Sequence, residues 1–172
     1  MKSNVYAVMV EGKAEKAIID VLLEHDLLIF NHDNLFKGQI FFRQKAKDFC
    51  KNHLKIAIKN MPLIRVIDSK KEKFNVPEVY KSKIRVIDCL TTPEIEILII
   101  IANNDYQLYS NKFKSKIKPS DYIKNEYGID KSYESHYHFW IDRIDCLTET
   151  LKKYKTIHKN KQNYFLADFL KE

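Results

Sequence analysis

The sequence predicts an α/β fold: a Rossmann-like three-layer sandwich with a mostly parallel central sheet and extra C-terminal helices. Three observations predict it. Short β-branched runs alternate with stretches of helical apolar spacing, the signature of strand–helix–strand units. The chain has 172 residues with 45% hydrophobic and 31% charged, enough for one domain with a sizeable core. Only three Gly and four Pro leave little room for irregular loops, so long regular elements are expected.

The elements follow in order. Residues 6–10, YAVMV, are apolar throughout, as in a strand buried on both faces. Residues 14–28 place Ala14, Ala17, Ile18, Val21, Leu22 and Leu28 on one helical face, with Lys16, Asp20 and Glu24 outside. A second strand is expected at 27–30, a polar loop at 31–38 and a helix over 45–60. The pentamer IRVID occurs twice, at 64–68 and 84–88, giving two short strands that end in Asp68 and Asp88. The link between them is too short for a full crossover helix, so a short helix or an extended path through Pro77 is expected. In TTPEIEILIIIA, Thr91 is placed to cap a helix, Pro93 suits its first turn, and Glu94 completes a capping box. Helices are also expected from KPSDYIK, over 141–154 and, briefly, over 163–170. Residues 5–102 thus form an α/β core and 103–172 a helical extension of a single domain, 1–172.

The formal net charge is +7 and the pI about 9.1. That favours an acidic partner, of which nucleic acid is the commonest, although a Lys-rich surface also serves plain solvation. Cys50, Cys89 and Cys146 are far apart, which supports neither a zinc ribbon nor a disulfide framework and fits reduced thiols in the cytoplasm. The longest apolar run, 95–102, contains Glu96 and is too short for a membrane span. There is no Walker A, GxGxxG, GxSxG or HExxH pattern.

Active sites of parallel α/β sheets gather at the carboxyl ends of strands. Glu11, Asp68 and Asp88 all lie there by this reading. Glu11-Gly12 joins strand to helix: the carboxylate suits Mg²⁺ or Mn²⁺, and equally suits the dipole of its own helix. Asp68 is followed by Ser69, Lys70, Lys71 and Glu72, a carboxylate among cations that fits a divalent metal near phosphate or a solvated loop. Glu94 belongs to the capping box or to the site, and Glu96 to the surface or a supporting position. In a strand His136 and His138 would share one face and suit a metal, but no third ligand stands nearby, and aromatic packing around Trp140 is the favoured reading. Lys112, Lys114, Lys116, Lys118 and Lys124, interleaved with Phe113, Tyr122 and Tyr127, form a nucleic-acid track or a solvated loop.

The stretch YAVMVEGKAEKAIIDVLL resembles the opening of the Toprim domain shared by topoisomerases, bacterial primases, small RNA-maturing nucleases and OLD-type nucleases. TTPEIEILIII and KPSDY are similar to stretches of small bacterial Toprim-like proteins. The resemblance covers roughly residues 5–102. It implies a parallel α/β fold and an acidic site holding Mg²⁺ (or Mn²⁺) for phosphodiester cleavage, with Glu11 as the first glutamate, Glu15 as the further acid and Asp68 as the first aspartate. The family's second aspartate is missing, because Lys70 stands two residues after Asp68 and Leu90 two after Asp88. Two outcomes follow: a site completed by Glu72, Asp88 or Glu94, or a degenerate module that binds nucleic acid or a partner ATPase without chemistry. The expected set is therefore Glu11, Asp68, Lys70 and Glu94 as catalytic residues, with Glu11, Asp68, Asp88 and Glu94 as metal ligands. Lys13, Lys70, Lys71, Lys114, Lys116 and Lys118 would contact DNA or RNA. A homodimer and a role in phage defence or nucleic-acid processing also belong to this expectation.

Overall fold

The computed structural model describes residues 5–69, 71, 73–159 and 163–172. Four parallel strands form one sheet: β1 (Tyr6–Val10), β2 (Leu35–Phe42), β3 (Met61–Ile67) and β4 (Ile84–Leu90), in spatial order β2-β1-β3-β4. Helices α1 (Lys13–Glu24) and α2 (Ala46–His53) make the first two crossovers. Among its described residues, the β3–β4 link carries only a 3₁₀ turn, Glu78–Tyr80, just after Pro77, as the short spacing required. Then follow α3 (Ile97–Ala102), α4 (Tyr106–Leu108), a π-helical turn (Tyr109–Phe113), α5 (Pro119–Tyr127), α6 (Tyr133–Ile141) and α7 (Ile144–Ile157).

Strand β1 is central, with Val8 opposite both Ile40 and Ile64. Both of its faces are covered, which is why it alternates nothing and is apolar throughout. Val8, Val10, Ile64, Val66, Ile87 and Cys89 point into the larger core, with Ile18 and Leu22 of α1, Leu98 of α3, Ile123 of α5, Trp140 of α6 and Leu151 of α7. Ala7, Met9, Leu63 and Ile84 point to the other side, against Phe49, Cys50 and Leu54 of the α2 region. Residues 103–172 are therefore no appendage: they supply much of one layer of the sandwich. Among the described residues, no helix is long and apolar enough to cross a membrane.

Three expectations are corrected. The second strand is at Leu35–Phe42, not 27–30; Leu28 makes only an isolated bridge to Leu170. β2 is an edge strand whose Lys37, Gly38 and Gln39 are exposed, with Lys37 and Gly38 at positive φ, so it looks like a loop in sequence. No capping box forms at Thr91: its hydroxyl donates to the Ile67 carbonyl (3.3 Å), the Thr92–Pro93 bond is cis, and α3 starts only at Ile97. His136 and His138 lie on a helix, α6, where they cannot share a face; His136 is buried and His138 exposed. The helix expected over 141–154 is α7, with α6 ending at Ile141 just before it.

Candidate active site at the switch point

From β1 the chain crosses to β2 on one flank and later returns to β3 on the other. Connections diverge at the carboxyl ends of β1 and β3, and such a divergence leaves a crevice. Glu11 follows β1 and Asp68 follows β3, so the two sit on either side of it. A cleft of about 240 Å³ opens there, lined by Glu11, Gly12, Lys13, Glu15, Arg43, Asp68, Glu94, Glu96 and Lys131.

Glu11 Oε2 accepts the backbone N–H of Asp68 at 2.9 Å, and Oε1 lies 3.5 Å from Arg43 Nη1. The carboxylate thus ties the two strand ends together. It does not cap its own helix: the N-cap of α1 is Gly12, with no side-chain cap. Burial raises the Glu11 pKa, as does the charge of Asp68; the Asp68 N–H and Arg43 oppose the shift.

Gly12 has φ −148°, an ordinary extended value, so backbone freedom is not its purpose. A Cβ at this position would stand 3.1 Å from Glu15 Oε2. The glycine makes room for a carboxylate folded back over the strand–helix turn. Glu15 is 8% exposed, and its pKa is pushed up to about 7, first by burial and then by the charges of Glu96 and Glu11. Glu96, 4% exposed, is raised for the same reasons, burial first and then Glu94 and Asp68.

Glu94 differs. Its Oε2 accepts the Ser120 N–H (3.1 Å) and its Oε1 pairs with Lys131 Nζ (3.2 Å). Burial works against its ionised form, but the Ser120 donors and Lys131 outweigh it and hold the carboxyl below its usual value. Behind Glu96 lies His136, fully buried on α6, with Nε2 4.0 Å from Glu96 Oε1 and no hydrogen-bond partner for either ring nitrogen among the described residues. Burial lowers its pKa to about 4, so it is neutral at physiological pH.

Asp88 is not brought to this cleft. It sits inside β4, opposite Arg65 in register, with Oδ1 3.3 Å from Arg65 Nη1. Strand alternation puts both on the α2 side of the sheet, where the Arg65 guanidinium stacks over Phe74 at 4.6 Å. The repeated IRVID therefore has two different ends: Asp68 follows its strand, whereas Asp88 precedes the last two residues of its own. Lys13 lines the cleft; Lys71 is exposed and does not. Lys70 and Glu72 lie outside the described residues. Lys114, Lys116 and Lys118 line a separate pocket.

The sequence reading did not assign Arg43 and Lys131 to the site and gave Glu96 only a supporting place. Arg43 directly follows β2, so a correct placement of that strand would have put it at a carboxyl end. Lys131 carries no local signal, because it reaches the cleft from the α5–α6 link. Among the described residues, no group of three or more His, Cys, Asp or Glu side chains gathers closely enough to hold a metal ion. The five acids instead rim the cleft. Their donor set is all oxygen, which suits a hard divalent cation; the pKa values of Glu11, Glu15 and Glu96 are raised first by burial and then by neighbouring carboxylates, and a cation would offset that second cause. Comparison with protein-family models, with curated proteins and with solved structures gave no match.

Proposed function

We propose that the chain is a Toprim-like protein that binds Mg²⁺ or Mn²⁺ at this cleft and hydrolyses phosphodiester bonds of DNA or RNA. One observation carries the proposal: Glu11 and Asp68, from the ends of adjacent parallel strands, are tied together at the switch point within one acid-rimmed cleft. Glu11 and Asp68 would hold the cation. When bound, it supplies Lewis-acid polarisation of a phosphoryl oxygen. Lys13, Arg43 and Lys131, on the rim, offset phosphate charge. Glu15, titrating near neutrality, is able to hold or release a proton at Oε2 beside the same space. With Asp88 on the other face and Glu94 paired with Lys131, Glu15 and Glu96 are the described acids left to fill the part of the missing second aspartate.

A second reading has its own support. Glu11 is engaged by the Asp68 N–H and Arg43, and Glu94 by Ser120 and Lys131. These bonds also suit a scaffold that binds nucleic acid or a partner ATPase without chemistry. Calorimetry with Mn²⁺ and a cleavage assay on single- and double-stranded substrates separate the two. The nuclease reading expects Mn²⁺ binding that Glu11→Gln weakens at least tenfold, and cleavage that the same change abolishes with the fold intact. Wild-type protein that binds no Mn²⁺ and leaves DNA and RNA uncut overturns it.

A further inference from the structure

A second cavity, of about 260 Å³, lies beyond Pro93, lined by Tyr109, Lys114, Ser115, Lys116, Ile117, Lys118 and Pro119. Three observations give it a character of its own. Lys114, Lys116 and Lys118 all face it, and none of the three forms an ion pair with a described residue. Their loop is held in place: Tyr109 Oη donates to the Ile117 carbonyl (2.9 Å), and the Lys116 and Ile117 N–H groups donate to the Phe113 carbonyl. In the adjoining small pocket, which shares Pro93, Tyr109 and Lys114, Ser110 Oγ is buried with no hydrogen-bond partner among the described residues. Three lysines around one concavity give it a positive field that suits an anionic oxygen ligand.

Chain neighbours line the cavity and the acid cleft. Pro93 lines the basic side and Glu94 the acidic side; Pro119 lines the basic side, and the N–H of Ser120 binds Glu94. A polyanion crossing this ridge would place one phosphate among the lysines and a nearby one at the acids.

We propose that the pocket between the 114–118 loop and Pro93 binds a phosphate group of single-stranded nucleic acid and anchors the strand whose scissile bond lies in the acid cleft. The anchoring role rests on the nuclease reading above; the phosphate binding does not. Anisotropy of a labelled 12-nucleotide single-stranded DNA, measured in EDTA at several salt concentrations, tests the binding without any metal chemistry. Each phosphate contact on a single strand contributes a slope of about −0.7 to log K against log salt. Replacing Lys114, Lys116 and Lys118 by Ala should weaken binding and flatten that slope by about 0.7, the share of one phosphate. Replacing Lys47, Lys51 and Lys55, exposed lysines on the α2 side, removes the same charge and should leave the slope nearly unchanged. Inorganic phosphate should shift the backbone amide resonances of Ser110 and 114–118. Equal effects of the two triple variants, or no phosphate-induced shift at these amides, overturn the proposal. Where cleavage is found, the loop variant should raise KM with kcat little changed. A fall in kcat at unchanged KM would refute anchoring; absence of any cleavage would refute the nuclease reading while leaving the salt-slope result standing.

Discussion

Glu15→Gln should stabilise the protein, by an amount that grows with pH. Glu15 is 8% exposed, and its pKa is raised from 4.5 to about 7 by burial and by Glu96 and Glu11. A group whose pKa is raised on folding favours the fold fully below its unfolded pKa, and that advantage disappears as pH rises through the folded value. Relative to a permanently neutral side chain, ionisable Glu15 then costs about 0.8 kcal/mol at pH 5 and about 3 kcal/mol at pH 8. Glutamine keeps the shape and hydrogen-bonding reach but has no charge to desolvate. The difference in unfolding free energy between Glu15→Gln and wild type should therefore widen by about 2.5 kcal/mol from pH 5 to pH 8. Urea denaturation of both proteins at the two pH values measures it, because groups that titrate alike in both cancel in the difference. A difference that stays flat with pH, or a glutamine variant less stable at pH 8, would show that Glu15 is not held in a crowded acidic cleft. Mg²⁺ or Mn²⁺ bound nearby should shrink the gap, since a cation offsets the same repulsion.

Further outcomes are expected. His136→Phe removes a buried ring with two unpartnered nitrogens and should stabilise the fold by about 1–3 kcal/mol at neutral pH. Because the folded His136 pKa is lowered to about 4 from 6.5, wild type should lose roughly a further 3 kcal/mol relative to the variant as pH falls from 6.5 to 4; parallel stability curves would contradict this. Gly12→Ala should change stability by no more than about 1 kcal/mol while displacing the Glu15 carboxyl and moving its titration, seen by carbon-13 NMR of the side chain; an unmoved titration would mean the glycine serves another purpose. Lys83→Met deletes ammonium bonds to the Leu54 and Ile56 carbonyls and should cost about 1–3 kcal/mol in thermal or urea unfolding. Mn²⁺ affinity in calorimetry should fall on acidification, and the fall should begin at a higher pH than for an ordinary carboxylate, because Glu11, with its raised pKa, must lose its proton to bind; affinity that acid leaves unchanged would place the ion elsewhere.

The order of elements was legible in the sequence, since alternation between apolar runs and helical spacing is local information. So was Glu11: a carboxylate that ends an all-apolar run in a parallel sheet must emerge at its carboxyl edge. Asp68 was legible for the same reason. The identical pattern misled at Asp88, because where a strand stops relative to a repeated motif depends on pairing with β3 rather than on the motif. β2 was misplaced because an edge strand needs partners on one side only and tolerates exposed lysine and glycine.

What the sequence by itself determined is the α/β class, the strand–helix rhythm, and two acids at strand ends beside a surplus of lysine. Only the tertiary structure decided which acids share a cleft. It brought Glu15 and Glu96 in, bound Glu94 to Ser120 and Lys131, and sent Asp88 to the opposite face. It also gave Gly12 its purpose, the space that Glu15 needs. The division has a physical cause. Periodicity and strand ends follow from neighbours in the chain, whereas burial and charge crowding arise between residues that meet only when helices close over the sheet.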